Sequence, residues 1–416
     1  MAENVRYFLE QTVPELEDLE RKNVFSKAEI NKIMRRRTEF EHRIAGRASK
    51  SADFIKYIQY EMSLDNLRRK RIERLSPTGI VDMSQSISDW SGQRKILFIF
   101  QRAVRKFHGD LQLWSLYLQY AKELGSINVV EQIYNKMLQL HPTDTDLWIS
   151  AAKFEFEENA DAKNARILLQ RALRFNSEQD KLWLNYFVFE LSYISKLLLR
   201  RKILGLNSAA LQIEQEELDE IKKENEQRQI NERIQLHEDM STGNFQSSGT
   251  VELNNLPETD IDMLGDPDSN PALKGDVALA VFRIAVDTLT GTKRNSKGYT
   301  LSLVKKFISI VDGFEVLDRD YLVSSIVTHM SSLDPKCSEY IVIALALPLR
   351  YLSISSPEFP IKLQLSVKNY LKLDEPSTRN GYVEFLTKLL EACRNEENDT
   401  RAVLLQQLVK KCKCSV

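Results

Sequence analysis

The chain has 416 residues, of which 43% are hydrophobic, and its 58 basic and 59 acidic side chains leave a net charge of −1 at pH 7. This length and composition can bury a sizeable core in two or three domains, which excludes a chain that stays disordered along its whole length. The near-zero charge excludes a global field that would drive binding to phosphate backbones or anionic membranes, so nucleic acid would need a local basic patch.

Cysteine usage and hydropathy predict an intracellular, soluble protein. The four cysteines, at positions 337, 393, 412 and 414, do not form the pattern of a disulfide-stapled secreted domain. The longest apolar run, residues 340–349, is too short to span a bilayer. Charged residues interrupt the first ten positions, where a signal peptide would need an unbroken apolar segment.

Residues 1–47 are predicted to form an N-terminal helical docking segment. Ser26 followed by Glu29 has the spacing of a capping box, which predicts that a helix starts there. The apolar side chains of this segment exceed what two short helices can bury alone, which predicts that they dock onto a protein partner. The residues expected to dock are Phe8, Leu16, Phe25 and Phe40.

An aromatic phrase that recurs every 34 or 35 residues dominates residues 48–206. Tryptophans or phenylalanines are followed by aromatic or small residues three and six positions later, which places these side chains on one face of a helix. Each unit is then a pair of short helices that must stack on its neighbours, as in a solenoid. The side chains expected to pack repeat on repeat, in preference to stacking on nucleobases, are Phe54, Tyr57, Trp114, Tyr117, Trp148, Phe154, Trp183, Tyr186 and Phe189.

Polar residues recur beside the aromatic phrase. Glu61, Glu155 and Glu190 close three of the phrases, and this regular recurrence favours ion pairs with Arg102 or Arg171, or bonds to backbone amides, over catalysis. At the junction marked by Pro142, Thr143 and Asp146 are expected to cap the next helix.

Two basic clusters on predicted helices could contact RNA phosphates. Charge runs are more often solvated helix faces, and both interpretations stay open for these residues. The clusters are Arg35, Arg36 and Arg37, and Arg68, Arg69, Lys70 and Arg71.

Composition changes after the repeats. Residues 207–269 are rich in charged and amide side chains and contain a Ser/Gly-rich stretch, which predicts a polar, partly disordered linker. From 270 to 416 apolar residues regain helical spacing, including the run 341–347, whose alanines favour a buried helix over a strand. We therefore predict a C-terminal all-helical domain of degenerate repeats.

The sequence predicts no catalytic, cofactor-binding or metal site and hence no enzyme. The stretch "GTKRNSKG" lacks the glycine that a phosphate-binding loop needs before its lysine, and the five histidines show no HExxH spacing. Cys412 and Cys414 lack the second pair of ligands that a structural zinc site requires.

The repeated phrases "LWSLYLQYA", "LWISAAKFE" and "LWLNYFVFE" resemble the half-a-TPR (HAT) repeats of RNA-processing proteins. The opening "RYFLEQTVPELEDLERKNVFSKAEINKIMRRRTEFEHRI", the following "DFIKYIQYE" and the later "SNPALKGDVALAVF" resemble the U3 small nucleolar RNA-associated protein 6 family. The chain departs from the pattern at Ala121, where other units carry glutamate, and most of 300–416 matches no phrase of the family.

This resemblance implies an all-α fold, a right-handed α-solenoid of HAT hairpins with an N-terminal helical segment and a degenerate helical C-terminal domain. It implies a non-catalytic scaffold in the nucleolus, within the UTP-B subcomplex of the small-subunit processome, which supports pre-rRNA processing. The implied partners are WD-repeat propeller proteins and, directly or indirectly, the U3 snoRNP and pre-rRNA, with no membrane, cofactor or small-molecule substrate. The alternatives are a HAT scaffold of mRNA splicing or 3′-end processing, and a helical-repeat module that binds RNA directly.

Overall fold

All regular elements that the computed structural model describes are helices. The described residues are 2–75, 86–203, 271–292, 297–335, 337–352, 356–371, 376–395 and 399–414. The predicted linker 207–269 lies outside them. The helices are α1 (Ala2–Glu10), α2 (Val13–Arg21), α3 (Lys27–Ala45), α4 (Ser51–Leu75), α5 (Ser88–Lys106), α6 (Leu111–Glu123), α7 (Ile127–Leu140), α8 (Thr145–Glu157), α9 (Ala162–Phe175), α10 (Asp180–Ile203), α11 (Pro271–Lys274), α12 (Asp276–Thr292), α13 (Lys297–Asp312), α14 (Arg319–Leu333), α15 (Ser338–Arg350), α16 (Phe359–Leu371), α17 (Pro376–Asn395) and α18 (Asp399–Cys414).

The chain divides into two compact units, Met1–His141 and Pro142–Val416. The division falls between α7 and α8, and therefore lies inside the predicted repeat region 48–206. The all-α fold class is confirmed, whereas the predicted domain limits stay predictions.

In the first unit the predicted capping box is confirmed at the start of α3. The Ser26 hydroxyl accepts a hydrogen bond from the Glu29 amide at 3.4 Å, and the Glu29 carboxylate accepts one from the Ser26 amide at 3.0 Å. These bonds satisfy amide groups that have no partner within the helix. The bonds fix where α3 begins, and its buried stripe then runs along one face through Ile30, Ile33, Arg37, Glu41 and Ile44.

Helices α5 to α7 of the first unit follow the repeated pattern. The Asp110 carboxylate caps α6 by accepting from the amides of Gln112 and Leu113. The Phe100 ring of α5 stacks on Tyr117 of α6, with ring centroids 5.0 Å apart. Aromatic side chains thus join consecutive helices of the repeat.

The second unit begins with the helices that carry the next two phrases. The cap of α8 is Asp144, which accepts from the Asp146 amide at 3.1 Å, so the prediction of Thr143 and Asp146 as caps was wrong. Asp161 caps α9 in the same way. An aspartate one residue before the helix has the extended backbone and the short carboxylate that this bond requires.

Helices α12 to α18 complete the second unit. Phe307 of α13 contacts Phe187 of α10 and Phe282 of α12 edge to face, at centroid distances of 5.0 and 5.1 Å. The apolar run 341–347 lies in α15, which confirms its prediction as a helix. The buried core of the later helices comprises Leu345, Leu349, Phe359, Leu363, Tyr370, Tyr382, Leu386, Leu405 and Val409. None of the helices within the described ranges is both long enough and apolar enough to cross a membrane.

Candidate interaction surfaces

The nine repeat aromatics lie in the protein interior, each with 7% or less of its surface exposed. Their rings present no free face to a nucleobase in this fold. Each repeat tryptophan also donates a hydrogen bond from its indole nitrogen to the carbonyl six residues earlier. These bonds are Trp114 to His108 at 3.0 Å, Trp148 to Pro142 at 3.0 Å and Trp183 to Ser177 at 2.9 Å.

Two of these carbonyls also accept a bond from the following repeat. In the first unit, the carbonyl of His108 accepts from His141 Nε2 at 3.0 Å. In the second unit, the carbonyl of Pro142 accepts from Asn176 Nδ2 at 2.8 Å. We call each of these carbonyl oxygens, which accepts two hydrogen bonds, a carbonyl node. Its two donors, one from its own repeat and one 33 or 34 residues later, tie neighbouring hairpins together.

The first basic cluster contains a buried arginine. Arg37 is 1% exposed and donates from Nε and Nη2 to the two carboxylate oxygens of Glu61, both at 2.9 Å. Its Nη2 also lies 3.3 Å from Glu15. Burial lowers the pKa of Arg37, but the charges of Glu61 and Glu15 outweigh it and raise the pKa above its ordinary value. The prediction of Arg37 as an RNA contact is therefore corrected, because its guanidinium is already paired in the interior.

Lys95 of α5 enters the same buried cluster without a hydrogen bond. Its Nζ lies 3.9 Å from Glu61 and, among the described atoms, has no hydrogen-bond partner. Burial and the nearby charge of Arg37 lower the pKa of Lys95 to about 8. The hydroxyl of Tyr57 is also buried without a described partner, and burial raises its pKa.

The recurring glutamates form bonds, but with partners other than those predicted. Glu61 pairs with Arg37, and Glu190 accepts from Arg166 Nε and Nη2, both at 2.8 Å. Arg102 instead pairs with Glu41 of α3 at 3.0 and 2.9 Å, and Arg171 is exposed. Glu61 and Glu190 do form ion pairs, as expected, but the expected partners Arg102 and Arg171 were wrong.

Glu155, the third recurring glutamate, accepts a hydrogen bond from Asn159 Nδ2 at 2.9 Å. This partner lies four residues later, beyond the end of the same helix.

The second basic cluster is also partly enclosed. Arg68 is 8% exposed and donates to Asp65 at 3.0 Å and to the Asp89 carboxylate at 3.4 Å. Arg71 pairs with Glu29 at 2.8 Å, and this bond lowers the pKa of Glu29 to about 2. The prediction that Arg68 contacts RNA is corrected, since the residue links α4 to the start of α5.

The remaining predicted RNA contacts are accessible. Arg35 and Lys70 are exposed. Arg36 is 59% exposed and pairs with Glu39, and Arg69 is 49% exposed and pairs with Asp65. Of the residues predicted to contact RNA, only these four side chains face solvent to this extent, and their contact with RNA stays a prediction.

The predicted docking residues are mostly used inside the fold. Leu16 and Phe25 are each 4% exposed, in a cluster that Leu64, Ile72 and Leu75 of α4 help to cover. The prediction that these two residues dock onto a partner protein is corrected, because apolar side chains of α4 already cover them.

The other two docking residues are half-buried. The ring centroids of Phe8 and Phe98 are 5.5 Å apart, and Phe40 stacks on Tyr57 with centroids 5.1 Å apart. A shallow depression of about 310 Å³ remains between α1 and α3, lined in part by Leu9.

Sequence reasoning missed an exposed tryptophan. Trp90, near the start of α5, is 57% exposed, whereas the three repeat tryptophans are buried. It lies 24 residues before Trp114, outside the 34-residue spacing, and this displacement was the signal that could have set it apart. Within the described ranges, no group of three or more His, Cys, Asp or Glu side chains could hold a metal ion.

Comparison with known proteins gives two family matches. The profile described as U3 small nucleolar RNA-associated protein 6 matches residues 9–95, and the profile described as PRP39 N-terminal HAT repeat matches residues 93–217. Together these matches run through the N-terminal helices and the repeats.

Individual relatives carry the first of these names. The U3 small nucleolar RNA-associated protein 6 of Schizosaccharomyces pombe is 48% identical over 207 residues, which cover 50% of this chain and 42% of the relative. A homolog from Mus musculus is 36% identical over 197 residues, covering 47% and 32%. A homolog from Dictyostelium discoideum is 26% identical over 425 residues, covering 100% and 64%. The chain thus spans less than two thirds of the length of each relative.

Proposed function

We propose, from its similarity to U3 small nucleolar RNA-associated protein 6 and its homologs, that this chain belongs to that family and acts as a non-catalytic scaffold in ribosome biogenesis. The observation that carries this proposal is the repeat bonding itself. Each of the three repeat tryptophans is buried and donates a hydrogen bond to the carbonyl six residues earlier, so these side chains hold the helices of the repeats together. Stacked hairpins offer extended surfaces for partners in preference to an enclosed catalytic pocket.

The proposed partners follow from the names of the relatives. These names associate the relatives with U3 small nucleolar RNA. We propose that this chain likewise joins the U3 snoRNP within the small-subunit processome, in the nucleolus, and supports pre-rRNA processing. WD-repeat propeller proteins of the UTP-B subcomplex are the proposed protein partners, because a helical surface can dock against a propeller face.

Purification of the tagged full chain from cells tests this function. U3 small nucleolar RNA should be enriched over spliceosomal small nuclear RNAs, and mass spectrometry should find propeller proteins in the same fraction. A variant with Trp114→Ala, which should disturb the repeats, is the matched control and should retain less of both. Enrichment of neither U3 RNA nor processome proteins would contradict the proposal.

A HAT scaffold of mRNA splicing or 3′-end processing is the second candidate. The match of residues 93–217 to a HAT repeat described under a different name is the observation that supports it. The same purification separates the two candidates, because this one requires spliceosomal RNAs or 3′-end cleavage factors in place of U3 RNA.

A further inference from the structure

Helix α5 turns an aromatic stripe toward solvent. Trp90 is 57% exposed and Phe98 is 39% exposed. The two side chains are eight residues apart, so they lie about 12 Å apart along the helix axis and within roughly a quarter turn of each other. The opposite face of the helix buries Ile96, Ile99 and Ala103 against the rest of the unit. Trp90 therefore contributes little to packing within the described part of the first unit, whereas Phe98 also contacts Phe8 of α1.

Arginines interleave with these rings. Arg94 and Arg105 are exposed and, among the described residues, neither has an ion-pair or hydrogen-bond partner. They lie on the same side of α5 as Trp90 and Phe98, because offsets of four and fifteen residues return to nearly the same direction on a helix. The stripe thus alternates flat rings with unpaired cations.

The nearest acidic groups on α5 and beside it are already neutralised. Asp89, the one acidic residue of α5, accepts from Lys22 at 3.2 Å and from Arg68 at 3.4 Å. Glu41 of α3 is paired with Arg102. Arg94 and Arg105 therefore have no free carboxylate on α5 with which to pair, although the whole chain has a net charge of −1.

Helix α1 extends the aromatic surface. Tyr7 is 58% exposed and lies 5.7 Å from Phe8, which lies 5.5 Å from Phe98. The guanidinium of Arg102 sits 4.4 Å from the centre of the Phe8 ring, which holds α1 on this side of α5. Tyr7, Phe8 and Phe98 therefore form a run of adjacent rings across α1 and α5, and Trp90 lies farther along the same side of α5.

We propose that this patch, the α5 ridge (Trp90, Arg94, Phe98, Arg105 and Tyr7), binds single-stranded RNA. Exposed rings accept nucleobases of any sequence by stacking, and unpaired cations between the rings attract the phosphates. An apolar protein partner would bury Arg94 and Arg105 without their counter-charge, which disfavours that occupant. The inference rests on the proposed function for the presence of RNA in the assembly, and it moves the RNA contact away from the arginines that sequence reasoning selected.

Fluorescence anisotropy on the purified full chain tests the ridge. The probe is a labelled uridine homopolymer of about 12 nucleotides, within the range of single-strand site sizes, and a duplex of the same length is the comparison. Binding is measured between about 50 and 200 mM salt, because phosphate contacts weaken with salt. Helical content and melting are recorded for each variant, so that a folding defect is recognised.

The ridge variants should weaken binding in two distinguishable ways. Trp90→Ala should weaken it about 5- to 150-fold, the effect of losing one stacked base, while Trp90→Phe should retain most of the affinity. Arg94→Glu should reduce the slope of log affinity against log salt by at least about 0.7, the value for one lost phosphate contact on a single strand. Lys136→Glu is the matched control at an exposed cation of α7, outside the ridge and outside both basic clusters, and should bind as the wild type does.

Two results would overturn the proposal. One is wild-type protein that does not bind the single strand at low salt, and the other is folded Trp90→Ala protein that binds as tightly as the wild type. Purification of the tagged wild-type chain from cells keeps these outcomes separate from the scaffold function. If the wild-type chain recovers U3 RNA and the propeller proteins but does not bind the oligonucleotide, the scaffold proposal stands and the ridge proposal fails.

Discussion

The contacts among helices α2 to α5 and those within the tryptophan hairpins differ in their chemistry. Among α2, α3, α4 and α5, buried and partly buried ion pairs add to the apolar contacts, with Arg37 on Glu61, Arg102 on Glu41 and Arg68 on Asp89. In the hairpins, aromatic rings and backbone carbonyls join neighbouring helices. At Pro142, for example, the carbonyl accepts hydrogen bonds from both Trp148 and Asn176. The bond from tryptophan to a backbone carbonyl recurs in all three tryptophan repeats. Of the three ion pairs, that of Arg37 with Glu61 has a counterpart in the hairpins, the pair of Arg166 with Glu190.

This difference predicts how each region responds to substitution. A buried charge that loses its partner is left uncompensated, so the ion-paired region should be sensitive to changes that alter charge alone. The hairpins should be sensitive to changes in volume and tolerant of surface charge changes. The four predictions that follow test this contrast in order of decreasing effect.

Removal of a repeat tryptophan should have the largest effect. Trp114→Ala should lower the free energy of unfolding by about 3 to 5 kcal/mol, because a large buried ring is lost along with its bond to His108. Trp148→Ala and Trp183→Ala should behave alike. Urea unfolding measures the effect, with Trp90→Ala as the control at an exposed tryptophan, where the change should stay within about 0.5 kcal/mol. Equal effects at Trp114 and Trp90 would remove the basis for the contrast.

Loss of charge at Glu61 should come next. Glu61→Gln keeps the shape of the side chain but leaves Arg37 buried with much of its compensation gone, which should cost about 3 kcal/mol. Urea unfolding measures this change against Glu39→Gln, where the carboxylate is 64% exposed and its pair with Arg36 should contribute less than about 1 kcal/mol. If both variants unfold at the same urea concentration, the buried pair does not stabilise the first unit.

Lys95→Met should stabilise the protein, and the gain should depend on pH. Below about pH 8 the buried ammonium is charged in both the native and unfolded states and carries its full desolvation penalty. Between about 8 and the ordinary pKa of 10.5, the native amine loses its proton first, so wild-type stability from this group rises with pH and the advantage of Met shrinks.

The expected gain for Lys95→Met at pH 7 is on the order of 2 kcal/mol, less than the full shift implies because some of the side chain is solvent-accessible. Urea unfolding of variant and wild type at several pH values from about 7 to 10 measures it. Lys70→Met, at an exposed lysine, should show no such trend. A gain for Lys95→Met that stays constant or grows with pH would contradict the lowered pKa.

Loss of a helix cap should have the smallest effect. Asp144→Ala should cost about 1 kcal/mol, because the amide at the start of α8 loses its acceptor. Thr143→Ala changes the exposed neighbouring residue that the sequence favoured as a cap and should be close to neutral. Thermal melting of the two variants decides between the residues, and a larger loss for Thr143→Ala would restore the original assignment.

The repeat helices could be predicted from the sequence because the residues that specify them recur at a regular spacing. The tryptophan spacing, the Ser26–Glu29 capping box and the helical run at 341–347 each depend on residues close together in the chain. The partner of Arg37 could have been deduced only by comparing repeats, since its 24-residue separation from Glu61 is matched by that of Arg166 from Glu190.

One signal for the buried charges was nevertheless present. Arg37 and Glu41 continue the stripe of Ile30 and Ile33 at steps of three and four residues, so their position on the apolar face of α3 could have been deduced. The burial of Leu16 and Phe25 could not, because it depends on how α4 lies across α2 and α3.

The carbonyl nodes restrict the length of each hairpin, since the second donor lies 33 residues after His108 and 34 residues after Pro142. Because Pro142 has no amide hydrogen, its carbonyl is the one backbone group there that can form hydrogen bonds, and both of its lone pairs are occupied by Trp148 and Asn176. Adding or deleting a single residue within α9 would rotate Asn176 by about 100° around that helix and carry it away from the node. Evolution can therefore change the outward side chains of a hairpin freely, while the number of residues it contains is under a constraint that a percentage of sequence identity does not measure.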